Sequence, residues 1–285
     1  MCTVPQLSQL DLKGVDTVAV DLETYDPELI KKGSGAVKKV GFVCGIAIAT
    51  KKQTLYFPIK HAHTDNLNPD NTWKVLNKKL FQNKDIRKVF HNAMYDVCWI
   101  RAESGLMPQG PLLDTMVAAS VIDENRMKYS LDSLSKDYLK DTKYKYDLRD
   151  KVLTWSKGTI KDPMTSMHKL SYAVVKDYAE QDVNLTLRLW NLFEKEIDEE
   201  KVVEKGTEDE KKKTLRPIFE LETQLFPCLV DMKFTGVRID EAGAKKLGKR
   251  LERTKNNIVN YIHRRTGIRI EIWAASSIKK LLDEL

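Results

Sequence analysis

Residues 15–22 read V-D-T-V-A-V-D-L, a valine-rich run in which apolar and polar residues largely alternate. This alternation is typical of a half-buried β-strand, and the run ends on acidic residues. Two further strand patterns follow, separated by the turn-like pair Lys51-Lys52: V-G-F-V-C-G-I-A-I-A-T at 40–50 and Q-T-L-Y-F-P-I at 53–59. Three consecutive strands near the N-terminus predict an antiparallel meander.

The chain that follows is mainly helical. The sequence N-P-D-N at 68–71 resembles a helix cap and predicts a helix to about Phe81, and I-R-K-V-F at 86–90 predicts one more short strand. Apolar residues at three- and four-residue spacing then predict helices over 113–122, 130–139 and 171–193. Strands first, then helices with a strand between them, predict an α/β fold in which helices flank a mixed sheet.

A charge-rich connector at 194–213 marks a domain boundary, which we place between residues 205 and 206. Beyond it, residues 215–234 and 241–264 predict two helices joined by T-G-V-R-I-D, so that a helical extension follows the first domain.

Composition narrows the class of protein. The net charge of +7 and the pI near 9.0 favour a polyanionic partner. The four cysteines show no C-x-x-C pairing and suggest neither a zinc site nor a disulfide framework. The longest uncharged apolar run, Gly41–Thr50, is too short to cross a bilayer, and the N-terminus does not resemble a signal peptide. We therefore expect a cytoplasmic protein without a membrane partner.

The first candidate functional residues are the carboxylates of D-L-E at 21–23. Alternate strand residues share a face, so Asp21 and Glu23 emerge on the same side at the end of the first strand. Clustered carboxylates are the oxygen ligands that Mg²⁺ prefers. The composition alone would yield about one or two D-x-E triplets, and others begin at Asp26 and Asp198. Asp21 and Glu23 differ from these because they directly follow a buried V-A-V.

The second motif is H-N-A-M-Y-D at 91–96, which follows the strand at 86–90. Asn92 and Asp96 lie four residues apart and would share one face of a helix that begins there. In the alternative interpretation Asn92 is a helix cap and Asp96 interacts with the helix dipole.

The third motif is D-Y-A-E-Q-D at 177–182, which places Tyr178 and Asp182 on one helical face. A phenol beside a metal-bound water can orient that water, and the aspartate can supply a further ligand. Alternatively, Tyr178 is a core residue whose hydroxyl is hydrogen-bonded.

The order of the three motifs resembles the proofreading exonuclease domain of family A (Klenow-type) DNA polymerases, within the tyrosine variant of the DEDD exonuclease superfamily. The similarity continues in D-T-M-V-A-A-S-V-I at 114–122 and in S-L-D-S-L-S-K-D-Y-L at 130–139. The pattern E-x-x-x-x-P-x-x-x-x-M-x-x-T-G-V-R-I-D from Glu222 to Asp240 resembles the segment that leads into the polymerase domain. The resemblance implies a ribonuclease-H-like exonuclease domain over 1–205 and a connector plus the start of the thumb over 206–285.

The resemblance also implies a catalytic set and a cofactor. Two divalent ions, Mg²⁺ or Mn²⁺, are expected: Asp21, Glu23 and Asp182 would hold the first, and Asp21 would bridge to the second. Asp96 would hold the water shell of the second ion. Tyr178 would position the water that attacks the terminal phosphodiester.

Thr24 and Asn92 match family positions close to the terminal nucleotide, whereas Asp114 is interpreted as a structural residue at a helix start. Relatives often carry a leucine shortly after the first motif that wedges between the last bases. Here the sequence is T-Y-D-P-E, so Tyr25 could replace the wedge by stacking, or the wedge lies elsewhere.

The expected activity is thus 3′→5′ hydrolysis of single-stranded DNA ends, with a single-stranded 3′ end or primer-template DNA as partner. No candidate for the polymerase aspartates or fingers helix occurs before Leu285, so we expect the polymerase part to lie elsewhere, and a separate polymerase-domain chain is one expected partner. Two alternatives stay open: a 3′→5′ exoribonuclease of the ribonuclease D kind, and a non-catalytic DNA-binding subunit of a split polymerase.

Overall fold

The computed structural model forms two compact units, residues 1–234 and 235–285. The residues that it describes are 3–141, 150, 152–154, 156–159, 164–199, 201–202 and 212–284. The boundary predicted between residues 205 and 206 lies outside these ranges.

The first unit contains a five-stranded mixed sheet. Its strands are β1 (Thr17–Tyr25), β2 (Phe42–Ala49), β3 (Thr54–Pro58), β4 (Arg87–Phe90) and β5 (Leu112–Asp114). They are arranged in the order β3-β2-β1-β4-β5. The pairs β1-β2 and β2-β3 are antiparallel, which confirms the predicted meander, while β4 and β5 add in parallel. Strand β1 therefore lies at the centre of the sheet.

Helices cover the sheet on both sides. The helices described in this unit include α1 (Leu29–Lys32), α2 (Gly35–Lys38), α3 (Pro69–Leu76), α4 (Ala93–Ser104), α5 (Thr115–Ile122), α6 (Leu131–Leu134), α7 (Tyr172–Asp198) and α8 (Arg216–Thr235). A π-helical turn extends α3 to Phe81, and another extends α6 to Leu139. The cap predicted near residue 68 is present, because the Asn68 side chain accepts the Asn71 N–H at 2.9 Å.

Strand β1 is buried on both faces rather than half-buried as the alternation predicted. Val18, Val20 and Leu22 enter a core formed with α3 and α4, while Ala19 enters a second core formed with α5 and α7. A central strand with helices on both sides is shielded from water throughout, and the pattern of one strand does not reveal its neighbours. The acidic residues of β1 therefore lie beneath a helix.

The helix predicted from residue 113 begins later. Residues 112–114 form the edge strand β5, in which Leu113 pairs with Val89, and α5 starts at Thr115. A short apolar run is ambiguous between helix and strand, and here backbone pairing with β4 decides for the strand.

The second unit is helical, as predicted for the extension. Its helices are α9 (Glu241–Thr266) and α10 (Ala275–Asp283). The Asp240 side chain caps α9 by accepting the Gly243 N–H at 2.9 Å. Within the described chain, no helix combines the length and apolar character needed to cross a membrane.

Candidate active site

Asp21 and Glu23 lie on the face of β1 that α7 covers. Across the β1-β2 ladder they pair with Ala47 and Gly45, two small residues. Glu23 is 7% exposed and Asp21 is half-buried. Strand alternation thus presents both carboxylates side by side, as the sequence predicted.

Asp96 reaches the same strand from α4. Its Oδ1 accepts the backbone N–H of Leu22 at 3.1 Å, so the carboxylate is anchored between the positions of Asp21 and Glu23. Burial raises the pKa of the Asp96 carboxyl well above its usual range, and the nearby charge of Asp21 raises it further. An interaction of Asp96 with the helix dipole alone would not explain this hydrogen bond to β1.

Tyr178 and Asp182 approach from α7. The Asp182 side chain lies close enough to the Tyr178 phenol to influence its pKa. Burial raises the pKa of the Tyr178 phenol well above its ordinary value, and the charges of Asp182, Glu23 and Asp21 act in the same direction. These interactions show that β1 and α7 bring the phenol and carboxylates together.

Asn92 occupies the turn before α4 in the left-handed conformation, with φ of 67° and ψ of 53°. Asn92 is therefore the N-cap residue of α4, as the alternative interpretation predicted, but within the described chain its side chain makes no capping hydrogen bond. Its amide side chain is exposed at the start of α4. Thr24 is half-buried, and its hydroxyl is hydrogen-bonded to the Tyr95 hydroxyl at 2.6 Å.

Asp114 begins α5, as predicted, and also holds the start of α4. Its carboxylate accepts the N–H groups of Asn92 at 3.0 Å, Ala93 at 2.8 Å and Met116 at 2.8 Å. The sequence indicated only the role of Asp114 at the start of α5. Its role at the start of α4 was not visible, because that helix begins more than twenty residues earlier in the chain. Asp114 therefore fixes the turn from which Asn92 and Asp96 emerge.

Tyr25 is the last residue of β1, beyond the shift in strand pairing that lies between Glu23 and Thr24. Its ring packs against His168, with centroids 4.1 Å apart, and against Phe42 at 5.4 Å. The Lys60 amine lies 5.2 Å from the centroid of Phe42. A role for Tyr25 as the base wedge stays a prediction.

Tyr56 is a neighbour of the site that the sequence analysis missed. It is fully buried, and the charges of Glu23 and Asp21 add to the effect of burial in raising its pKa. A Cβ at Gly45 would lie only 2.0 Å from the Tyr56 hydroxyl. A glycine inside a strand often marks such a close approach, so Gly45 was the sequence signal that could have indicated a bulky neighbour here.

The donor chemistry of the site fits a divalent cation. Among the described residues, no group of three or more His, Cys, Asp or Glu side chains is placed so that it could hold a metal ion. The carboxylates are nevertheless oxygen donors of the type that Mg²⁺ prefers. The mutual effect of Asp21 and Asp96 is the kind of like-charge repulsion that a bound cation relieves.

Comparisons with known proteins identify the family and the fold of the chain. Residues 7–198 match a family described as 3′-5′ exonuclease. DNA polymerase DpoZ of Acinetobacter phage SH-Ab 15497 is 28% identical over 280 residues, which make up 98% of this chain and 39% of the phage protein. The chain thus spans about two fifths of the length of that relative.

Two solved structures show the same fold. Brucella melitensis NrnC with bound Mg²⁺ is 19% identical with a TM-score of 0.54, covering 81% of this chain and 90% of that chain. The POL domain of Pol1 from M. smegmatis, in complex with DNA primer-template and dNTP, is 15% identical with a TM-score of 0.58, covering 94% of this chain and 37% of that chain. The predicted ribonuclease-H-like α/β fold is thereby confirmed.

Proposed function

This chain belongs to the 3′-5′ exonuclease family, and we propose that it hydrolyses the terminal phosphodiester of single-stranded DNA 3′ ends in a metal-dependent reaction. The observation that carries the proposal is the meeting of three separate elements. Strand β1 contributes Asp21 and Glu23, α4 contributes Asp96, and α7 contributes Tyr178 and Asp182.

Asp21, Glu23, Asp96 and Asp182 would hold two Mg²⁺ or Mn²⁺ ions. When bound, such ions neutralise the charge that develops on the phosphoryl oxygens and supply a nucleophile near neutral pH. The presence of Mg²⁺ in the similar Brucella structure supports this cofactor.

Tyr178 would orient the attacking water through its hydroxyl. We assign the phenol a positioning role, because it lies beside the carboxylates that would hold the ions. Thr24 and Asn92 would contact the terminal nucleotide, Thr24 from β1 and Asn92 from the exposed turn before α4.

We further propose that the chain is the proofreading module of a family A DNA polymerase, acting in the cytoplasm of a bacterium or of a virus-infected cell. The phage DNA polymerase that aligns with almost the entire chain supports this assignment. The polymerase active site would then belong to sequence outside these 285 residues, either as a continuation or as a separate chain. Primer-template DNA would be its partner, as it is in the solved Pol1 complex.

The test uses the double variant Asp21→Ala with Glu23→Ala and measures degradation of a 3′-labelled DNA oligonucleotide with Mg²⁺. We expect the rate to fall by at least about 10²-fold, because the loss of charge stabilisation is worth several kcal/mol. Asp198→Ala with Glu200→Ala is the matched control. Asp198 has the same D-x-E spacing but lies sixteen residues beyond Asp182, about 24 Å further along α7.

Unfolding by urea, measured for both variants, separates loss of chemistry from loss of fold. An Asp21→Ala with Glu23→Ala variant that remains folded and active would refute the assignment of the site. Matched DNA and RNA oligonucleotides in the same assay distinguish the DNA exonuclease from an exoribonuclease. Binding without degradation by the unmodified chain would favour a non-catalytic DNA-binding subunit.

A further inference from the structure

Residues 61–66, here called the clamp loop, hold the segment that leads into α7. The Ala62 N–H donates to the His168 carbonyl at 2.8 Å. The His61 ring is hydrogen-bonded through Nδ1 to the Leu170 carbonyl at 2.9 Å. The Tyr172 N–H, at the first residue of α7, donates to the Thr64 hydroxyl at 2.9 Å. One loop thus contacts three successive points of the entry into the helix.

Thr64 acts as a cap supplied from a distant part of the chain. Ser171 occupies the usual N-cap position, but within the described chain its side chain makes no capping hydrogen bond. The Thr64 hydroxyl accepts the Tyr172 N–H and donates its own proton to the Ala62 carbonyl at 3.1 Å. An early N–H of α7 that the helix itself leaves without an acceptor is satisfied in this way.

His61 connects the start of α7 to the sheet. A carbonyl can only accept, so Nδ1 carries the proton donated to Leu170, and Nε2 accepts the Tyr56 hydroxyl in the neutral ring. Burial, which lowers the pKa of His61 to about 4, keeps the ring neutral. The Tyr56 ring is parallel to that of Tyr172 within 3°, with centroids 6.1 Å apart.

The clamp loop is braced internally before it reaches α7. The Asn66 side chain accepts the His61 N–H at 2.8 Å and donates to the His61 carbonyl at 2.8 Å. The Leu67 N–H donates to the Pro58 carbonyl at 2.9 Å and closes the loop onto the end of β3. The loop is therefore a fixed support for the helix.

From this geometry we propose that the clamp loop is a positioning device that sets the rotation and height of α7 above β1, with Thr64 and His61 as its positioning residues. Tyr178 and Asp182 lie six and ten residues beyond Tyr172, about 9 and 15 Å along the helix. A shift at the start of α7 is carried to both side chains because the helix is continuous. The inference rests on the proposed function, since it assigns those two residues to catalysis.

The test compares Thr64→Val, which removes the hydroxyl at nearly constant shape, with Thr64→Ser, which retains it. Misplacing a catalytic group by about 1 Å can cost about 10²-fold in rate, so we expect kcat of the valine variant to fall tenfold or more. KM should stay within about twofold, because the expected nucleotide contacts, Thr24 and Asn92, lie on other elements. Serine should restore kcat to within about twofold of the unmodified chain.

Thr72→Val provides the control for a general loss of stability. Thr72 is a buried threonine of α3 whose hydroxyl donates to the Asn68 carbonyl at 2.8 Å. It contacts neither the clamp loop nor α7 through that bond, so kcat should not change. A value of kcat for Thr64→Val within twofold of the Thr72→Val value would overturn the proposal.

Hydrogen exchange of the backbone amides of residues 172–176 gives a readout that does not depend on activity. We expect exchange about tenfold faster in Thr64→Val and unchanged in Thr64→Ser, because only the former loses the cap. Faster exchange in Thr64→Val, together with an unmodified chain that degrades no DNA, would support the clamp and refute the proposed function. Unchanged exchange in a chain that degrades DNA normally would refute the clamp and leave the proposed function standing.

Discussion

Lys88 is a charged residue of β4 whose side chain has no exposed surface. Its amine donates hydrogen bonds to the carbonyls of Asn83 and Gln109. Burial lowers the pKa of Lys88 from 10.5 to about 8, while the charge of Asp85 acts in the opposite direction. Two carbonyl oxygens replace only part of the hydration of an ammonium group, so the folded chain disfavours the charged form.

This pKa shift predicts stability that rises with pH. The folded chain releases the proton near pH 8 and the unfolded chain near pH 10.5, so unfolding takes up a proton between these values. Relative to Lys88→Met, the free energy of unfolding of the unmodified chain should increase by about 2 kcal/mol from about pH 7.5 to about pH 9.5. Urea titrations at several pH values across this range measure the free energy of unfolding of both chains. The same dependence of this free energy on pH in the two chains would contradict the prediction.

At the scale of elements, the turn from β4 into α4 determines where two candidate site residues lie. The left-handed backbone of Asn92 redirects the chain, and the carboxylate of Asp114 holds the N–H groups of Asn92 and Ala93. Asp96 then follows within the first turn of the helix. Asparagine suits this position for two reasons. It tolerates the left-handed conformation, and its side-chain amide is exposed.

Substitutions of Asn92 should separate its backbone role from its expected contact with the nucleotide. Alanine should lower the free energy of unfolding by about 1–2 kcal/mol, because its Cβ is strained at this φ, whereas glycine should cost much less. Both variants lack the side-chain amide, so KM for a short DNA oligonucleotide should rise about fivefold in each, the value of one hydrogen bond. Thermal unfolding and exonuclease kinetics provide the two measurements. A normal KM in the glycine variant would remove Asn92 from the substrate contacts.

At the scale of the whole molecule, most of the net positive charge lies in the second unit. Residues 235–285 contain twelve Lys and Arg against six Asp and Glu, a net charge of +6, while the complete chain has +7. Helix α9 carries many of these cations on exposed positions, including Lys249 and Arg253 one turn apart. Such a segment attracts the phosphates of nucleic acid at long range.

Neutralising this segment should weaken DNA binding in a salt-dependent manner. For Lys249→Gln with Arg253→Gln, we expect the slope of log K against log salt on single-stranded DNA to become shallower by about 1.4, or about 0.7 for each lost phosphate contact. Lys51→Gln with Lys84→Gln removes the same charge from exposed positions of the first unit. Fluorescence anisotropy at several salt concentrations compares the two variants, and equal slopes would exclude a specific role for α9.

Much of the architecture followed from local patterns. The strand meander, most of the helices and the pairing of Asp21 with Glu23 on one face depend on the repeat of a strand or helix, which spacing along the chain reveals. The exceptions were local patterns that tertiary contacts overrode. Residues 112–114 became a strand because β4 offers them a backbone partner, and β1 is buried on both faces because helices cover both.

The contacts between distant residues required the folded chain. Asp96 reaches the Leu22 N–H, Asp114 reaches the start of α4, and the clamp loop reaches α7 across more than one hundred residues. Sequence spacing could propose Asp21, Glu23, Asp96, Tyr178 and Asp182 separately, but it could not show which of them meet. Hydrogen bonds and burial depend on distances in space, and only the packing of α4 and α7 against β1 determines those distances.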